Sequence, residues 1–392
     1  MERNAGYEKL AAWLRSHQQD MFDLLERVVN IESGSYHKQG VDRVCEAFRA
    51  FFDAAGIQTT VYPRESHGNC LRADIPGSGE AQLPHVLLLG HMDTVFPEGT
   101  LEQWPYRVEG GIAYGPGVAD MKAGLVMNAF VARAFFECGG NVAPIRVFFT
   151  GDEEIASPSS RELTLEMARG AGCVLNAEPG RPTGNVVIER KGAMFVDFEV
   201  EGVAAHAGVA HEKGASAIEA LARKVVALHA LTDRSAGVTT NVGTIEGGVS
   251  VNTVAPFAKG RLDVRYPKGV DEDRLQRQIA AIIQEASPAC TCGRITHEGR
   301  FLPLFQTDES RMLLNDYIRV AQRLGVAVKG ESTGGSADSG LTAAAGAPTL
   351  CATGPVGGNA HTRKEYCDLR TLVPRAEICA GTILARDEMY VP

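Results

Sequence analysis

An unbroken apolar run that ends in glycine and then turns polar constrains this chain most: Leu87-Leu88-Leu89-Gly90-His91-Met92-Asp93-Thr94. Residues 86–89 read as a strand buried on both faces, the pattern of a central parallel strand. Side chains two apart in extended backbone share a face, so His91 and Asp93 can point the same way beyond its carboxyl end. In open α/β sheets that end borders the crevice where ligands bind. A histidine near an aspartate is equally consistent with a structural pair. The question is how many later strands end alike.

Helical periodicity runs over residues 6–30, where Leu10, Trp13, Leu14, Met21, Leu24, Leu25 and Val28 recur at three- and four-residue steps. A second amphipathic helix spans 41–55 and stops at Gly56. Strands follow near 58–62 and 69–75, a turn at 76–80, the organising strand, a long apolar helix over 120–136, and buried strands at 144–150 and 173–176. This alternation predicts a doubly wound, mostly parallel α/β sheet. The texture changes near Gly192. Strands at 193–200, 239–244 and 258–266 alternate as half-exposed ones do, with amphipathic helices at 211–232 and 271–286. A helix at 311–324, an apolar strand at 348–352 and a closing helix at 372–389 return to the first style. The expected architecture is one α/β domain, residues 1–191 and 302–392, interrupted by an inserted small α+β lid or dimerisation domain, residues 192–301.

A length of 392 residues accommodates both parts. The net charge of −9 argues against nucleic acid or an anionic membrane as partner. No window reaches the ~18 apolar residues of a membrane span, and residues 1–35 mix charged with apolar positions unlike a signal peptide. A cytoplasmic protein is expected. The 9 cysteines are odd in number and include no Cys-x-x-Cys, so free thiols fit better than a disulfide framework or a zinc ribbon. Cys290-Thr291-Cys292 reads the same way.

The strand ends then add up. The first gives His91 and Asp93; the Gly-rich loop Gly115-Pro116-Gly117-Val118-Ala119-Asp120 puts an acid at a helix start, where an N-cap is the plain alternative. The strand at 144–150 runs into Gly151-Asp152-Glu153-Glu154, and the one at 173–176 into Glu178-Pro179. Consecutive acids beyond a buried strand repel one another unless a cation or solvent relieves them. After 348–352 comes Gly354-Pro355-Val356-Gly357-Gly358-Asn359-Ala360-His361. Two imidazoles and at least three carboxylates suit a pair of divalent ions, one carboxylate bridging. Such a pair, ~3.5–4 Å apart, can hold a hydroxide and polarise a carbonyl. A spare carboxylate then shuttles the proton.

These motifs, with Ala205-His206-Ala207-Gly208 and Gly357-Gly358-Asn359-Ala360-His361-Thr362, make the chain closely resemble the M20 metallopeptidases over nearly its whole length. That clan includes carboxypeptidase G-type enzymes, aminoacylases and succinyl-diaminopimelate desuccinylases. Carried over by position, the resemblance implies His91, Asp120 and Glu178 on one metal, and His361, Glu154 and the shared Asp120 on the other. Glu153 would be the general acid/base, and Asp93 would fix the tautomer of His91. Glu at 178 resembles the carboxypeptidase and desuccinylase branch. His206 would stabilise the oxyanion in the partner subunit's site. Asn241, Asn252 and Arg265 would bind substrate, Arg265 by a bidentate grip on a carboxylate unless it pairs with Asp263 or Asp271. Gly335, within Gly334-Gly335-Ser336, could offer backbone donors.

The expected activity is hydrolysis of an amide or peptide bond next to a free carboxylate, by attack of a metal-bridging hydroxide with Glu153 as acid/base. The expected cofactors are two zinc ions, with manganese or cobalt open, and the expected assembly is a homodimer through the lid. Two alternatives stand beside it. One is a dinuclear aminohydrolase or deacylase acting on a non-peptide amine, and the other a non-catalytic binding protein on the same fold.

Overall fold

The computed structural model describes residues 2–79 and 83–388 and separates into two compact units. Unit one comprises Met1–Glu189, Leu304–Thr333 and Ala337–Pro392; unit two comprises Arg190–Pro303 with Gly334–Ser336. Gly334–Ser336 join the second unit from a separate stretch of the sequence, outside the insertion expected at 192–301.

Unit one is built on a six-stranded sheet in the order Gln58–Tyr62, Cys70–Ile75, Ile145–Thr150, Val86–His91, Cys173–Asn176, Thr349–Leu350. The last four run parallel to one another, and Cys70–Ile75 runs antiparallel to both of its neighbours. This is the mostly parallel α/β sheet that the strand–helix alternation predicts. Val86 and Leu88 enter one hydrophobic core, Leu87 and Leu89 another. Alternate side chains of a strand face opposite sides, so a run without polar breaks is what a doubly covered strand requires. Register pairs His91 with Thr150 and Leu89 with Asn176. The residues just past these strands therefore emerge along one rim of the sheet. The helix Ala123–Cys138 closes on that rim: a Cβ at Gly124 would lie 1.9 Å from the carbonyl oxygen of Ala177. Only glycine allows that approach.

A second, four-stranded antiparallel sheet joins Gly357–Gly358, Tyr366–Asp368, Ile112–Tyr114 and Arg107–Glu109. Its strands of two or three residues are too short to leave a period in the sequence, and the sequence reading missed it. It pairs the segment before Asp120 with the segments on either side of His361.

Helix boundaries depart from expectation where a side chain intervenes. The stretch 6–30 is two helices, Glu2–Ser16 and Gln18–Val29. Between them the His17 ring stacks on Trp13 at 3.8 Å, and its Nδ1 lies 2.8 Å from the Trp13 carbonyl. A side chain that competes for a helical carbonyl interrupts the ladder. The closing helix runs Leu372–Asp387, and Met389 of the expected end lies outside the described residues.

Unit two is a four-stranded antiparallel sheet, ordered Thr239–Gly247, Phe257–Tyr266, Gly192–Glu201, Cys292–Phe301. Met194, Val196, Phe198 and Val200 form its core with Leu221, Leu275, Ile279 and Ile283, several of them from the helices Ala217–His229 and Glu272–Gln284. The predicted 211–232 helix is shorter because Ser216 caps it, its side chain accepting the Glu219 N–H. Cys292–Phe301 escaped the sequence reading because it is an edge strand with one largely exposed face. Among the described residues no helix is long and apolar enough to cross a membrane.

Candidate metal centre

The rim of unit one gathers seven of the residues singled out by sequence: His91, Asp93, Asp120, Glu153, Glu154, Glu178 and His361. His91 is the last residue of its strand and is buried, its Nε2 directed at the acids. That nitrogen lies 3.3 Å from Asp120 Oδ1, 3.7 Å from Glu178 Oε1 and 3.8 Å from Glu153 Oε2. On the other side His361 Nε2 lies 3.3 Å from Asp120 Oδ2 and 3.3 Å from Glu154 Oε2. Asp120 thus turns one carboxylate oxygen to each imidazole.

Asp120 could have been a helix cap, and it is not. It stands in a distorted turn, Val118–Lys122, with φ −111° and ψ 90°, ahead of the helix Ala123–Cys138. His361 has φ +64° and Asn359 φ +56°. Non-glycine residues held in the left-handed region cluster where a site over-determines the backbone.

Asp93 does more than orient a ring. His91 Nδ1 is 3.0 Å from the Asp93 backbone carbonyl and 3.4 Å from its Oδ1. The carboxylate also accepts the Ser35 hydroxyl at 2.7 Å and the backbone N–H groups of Glu153 and Glu154 at 3.0 and 3.1 Å. It anchors the turn that carries both glutamates. Asp152, the third acid of that run, turns away and accepts from Ser159 and Ser160. Three buried groups escaped the sequence reading: Ser35, Asp338 and Glu365. Asp338 accepts the Ser157 hydroxyl at 2.5 Å, and Glu365 accepts the N–H groups of Ala119 and Asp120.

So many buried acids shift one another. Burial pushes Glu154 up to about 7, with the Asp120 charge adding to it. Burial likewise drives Glu153 well above the usual carboxylate range, although His91 opposes it. Burial disfavours a charged His91, but Glu153, Asp120 and Asp93 outweigh it and raise the imidazole well above its ordinary value. Hydrogen bonds to Asp120 and Glu154 raise His361 to about 10. Burial alone would raise Asp120, yet the two histidines hold it below the usual range.

The donor set fits divalent cations. Two ligands each ~2.1 Å from one ion at a tetrahedral angle lie ~3.4 Å apart. The 3.3 and 3.7 Å spacings match that better than they match hydrogen bonds, which favour ~2.9 Å. His91, Glu153 and Glu178, and likewise His91, Asp120 and Glu154, bring ligand atoms within 4.8 Å of one another. Among the described residues Glu154 Oε1 is buried without a hydrogen-bond partner. Nitrogen and oxygen donors of this kind suit zinc, manganese or cobalt.

Metal uptake must displace protons, because a ligating imidazole is neutral. Groups raised on folding support the metal-free fold below their unfolded values and lose that support as pH rises through the folded ones. His361, moved from 6.5 to about 10, and Glu154, moved from 4.5 to about 7, therefore weaken the metal-free chain as pH climbs. The melting-temperature gain on adding zinc is expected to widen from about pH 6 to about pH 9. A gain independent of pH in differential scanning calorimetry would contradict this.

The other predicted residues lie in unit two, in two groups. His206 is exposed and bridges to Thr253; its Nδ1 accepts the Gly208 N–H, and Asn252 accepts the Ala207 N–H through its carbonyl. Asn241 pairs across the sheet with Asp263, beside Arg265. Arg265 takes up the ion pair named as its alternative: its Nε and Nη2 are engaged by Asp263 at 2.9 and 2.8 Å, and Nη1 donates to Ser336 Oγ at 3.1 Å. The free bidentate fork is therefore occupied by the neighbour two residues away. Gly335 presents a carbonyl to Arg190 at 3.3 Å.

Residues 87–385 match the family described as peptidase family M20/M25/M40. The chain is similar to carboxypeptidase G2 of Pseudomonas sp. (strain RS-16), 30% identical over 370 residues, covering 92% of this chain and 88% of that protein. It is 28% identical over 329 residues to a succinyl-diaminopimelate desuccinylase of Xylella fastidiosa (strain 9a5c), covering 77% of this chain and 84% of that one. Its fold is shared with a dinuclear metal binding peptidase of Bacillus subtilis, at TM-score 0.65 and 15% identity, covering 95% and 99% of the two chains.

Proposed function

The chain belongs to peptidase family M20/M25/M40, metal-dependent hydrolases acting on C–N bonds, and from that premise we propose that it cleaves an amide or peptide bond next to a free carboxylate. The observation that carries this reading is the Asp120 carboxylate, one oxygen 3.3 Å from His91 and the other 3.3 Å from His361. A carboxylate offered to two imidazoles suits two divalent ions, with Glu178 completing the His91 side and Glu154 the His361 side. Zinc is the preferred metal for this donor set. The name carboxypeptidase G2, borne by a relative at 30% identity, favours a substrate that ends in a carboxylate.

Bound there, the ions would polarise the amide carbonyl and make water nucleophilic at neutral pH. The chain's residues do the rest. Glu153 is the acid left over by this allocation, and it takes a proton from the attacking water as the C–O bond forms. It returns that proton to the amide nitrogen as the C–N bond breaks. Asp93 holds the Glu153 backbone and occupies Nδ1 of His91, keeping Nε2 toward the acids.

Unit two supplies substrate recognition and assembly in this reading. His206 accepts at Nδ1, which leaves its proton on Nε2 to donate to the oxyanion. Asn241, Asn252 and the Gly335 loop bind substrate, and Arg265 does so once Asp263 yields one of its contacts. Exposed Ile245, Val249 and Val251, on and just after the edge strand Thr239–Gly247, support a homodimer through this unit. The 9 cysteines form no disulfide among the described residues, which suits the reducing cytoplasm.

The test is the zinc-reconstituted protein against N-acyl-amino acids, dipeptides, their C-terminal amides and N-aryl amines, read by amine release. A free carboxylate is expected to raise kcat/KM by about 10²-fold or more over the amide. Equal rates on carboxylate-free amines would favour the aminohydrolase alternative instead.

A further inference from the structure

The geometry points to Glu365 as the positioning residue that sets the spacing between Asp120 and His361, and hence the second metal site. This rests on the two-metal reading above.

His91 and Glu178 follow from long, buried parallel strands, so their positions are set by the sheet. Asp120 and His361 are different: both lie on loops. The loop bearing Asp120 leaves the strand Ile112–Tyr114, and the loop bearing His361 lies between Gly357–Gly358 and Tyr366–Asp368. Those strands pair, Tyr366 with Tyr114 and Cys367 with Ala113. The short sheet brings the two loops near each other, but pairing alone does not fix the tips.

Glu365 fixes them. It stands just before Tyr366, in the same loop as His361, and its Oε1 accepts the N–H of Ala119 at 2.9 Å and of Asp120 at 3.0 Å. One carboxylate oxygen therefore clamps the backbone of one ligand from the loop of another. One oxygen that accepts two successive N–H groups ties the two loops together at a point. The loops also touch at Gly357, where a Cβ would lie 2.6 Å from that of Ala119. Glu365 is fully buried, and among the described residues its Oε2 has no hydrogen-bond partner. A third acid beside Asp120 and Glu154 adds repulsion that a neutral staple would avoid, and divalent cations held by those two acids relieve it.

The test is calorimetric titration of the metal-free protein with zinc, with folding followed by circular dichroism. The parent is expected to bind two equivalents. Glu365→Ala is expected to weaken the His361-side equivalent about 10- to 100-fold and the His91-side one, which shares Asp120 but keeps His91 and Glu178, by only a few-fold. Glu365→Gln keeps an acceptor oxygen and is expected to recover most of that loss. In a His361→Ala background, Glu365→Ala is expected to add no more than that few-fold loss. Two equivalents unchanged in Glu365→Ala, or both weakened equally, would overturn the inference while sparing the two-metal reading. Should Glu365→Ala fail to fold, Glu365→Gln decides by the same criterion, a loss falling mainly on one equivalent. A parent that binds only one equivalent overturns the two-metal reading and this inference together.

Discussion

Glu153→Gln is expected to lower kcat by ~10²–10⁴-fold while metal content and KM stay close to the parent's. The substitution preserves shape and removes the ability to take a proton. Glu153 is buried and its backbone N–H is held by Asp93; its Oε2 lies 3.8 Å from His91 Nε2, about as far as Glu178 Oε1 at 3.7 Å, so the metal analysis separates proton carrier from ligand. Its burial raises its proton affinity, which is what a group that must first accept and then return a proton needs. The assay is steady-state kinetics beside metal analysis of the same sample. A loss of metal in proportion to activity would make Glu153 a ligand, in line with its closeness to Glu178 and His91.

Asp120→Ala is expected to act on both metals at once. Its two oxygens face His91 and His361, and no other acid spans both histidines among the contacts at this rim. Removing it weakens each ion by at least about 10²-fold, since even an indirect support costs that much. Activity is then expected to fall below detection at ordinary metal concentrations. Glu178→Ala, by contrast, touches only the His91 side, where its Oε1 lies 3.7 Å from the imidazole. Zinc titration of the two variants separates the shared ligand from the single one. Equal, partial losses in both would contradict a bridging role.

Much of this arrangement could be read from the chain. Apolar runs such as Leu87-Leu88-Leu89 announce doubly buried strands, and the acids and histidines that close them stand out because charge beyond a buried strand demands a reason. The sheet order then brings His91, Glu153 and Glu178 together through register. Residues that support a ligand's surroundings from a distant loop were illegible. Ser35 and Glu365 sit in polar loops with no period, and their partners are far away in sequence: Ser35 meets Asp93, and Glu365 meets Asp120. Glu365 left one faint signal, an acid soon after His361 in a glycine-rich loop. Asp338 was missed beside Gly334-Gly335-Ser336, because glycines invite attention to backbone donors and not to the acid beyond them. Arg265 shows a side chain whose two readings were both legible. Its fork faces Asp263 two residues away along the strand, the pairing that a period-2 reading places on the same side.

Anomalous diffraction from a crystal of the zinc-loaded protein tests the central claim most directly. Two peaks flanking the Asp120 carboxylate are expected, one beside His91 and Glu178 and the other beside His361 and Glu154. A single peak, or two peaks that leave Asp120 uncoordinated, would contradict it.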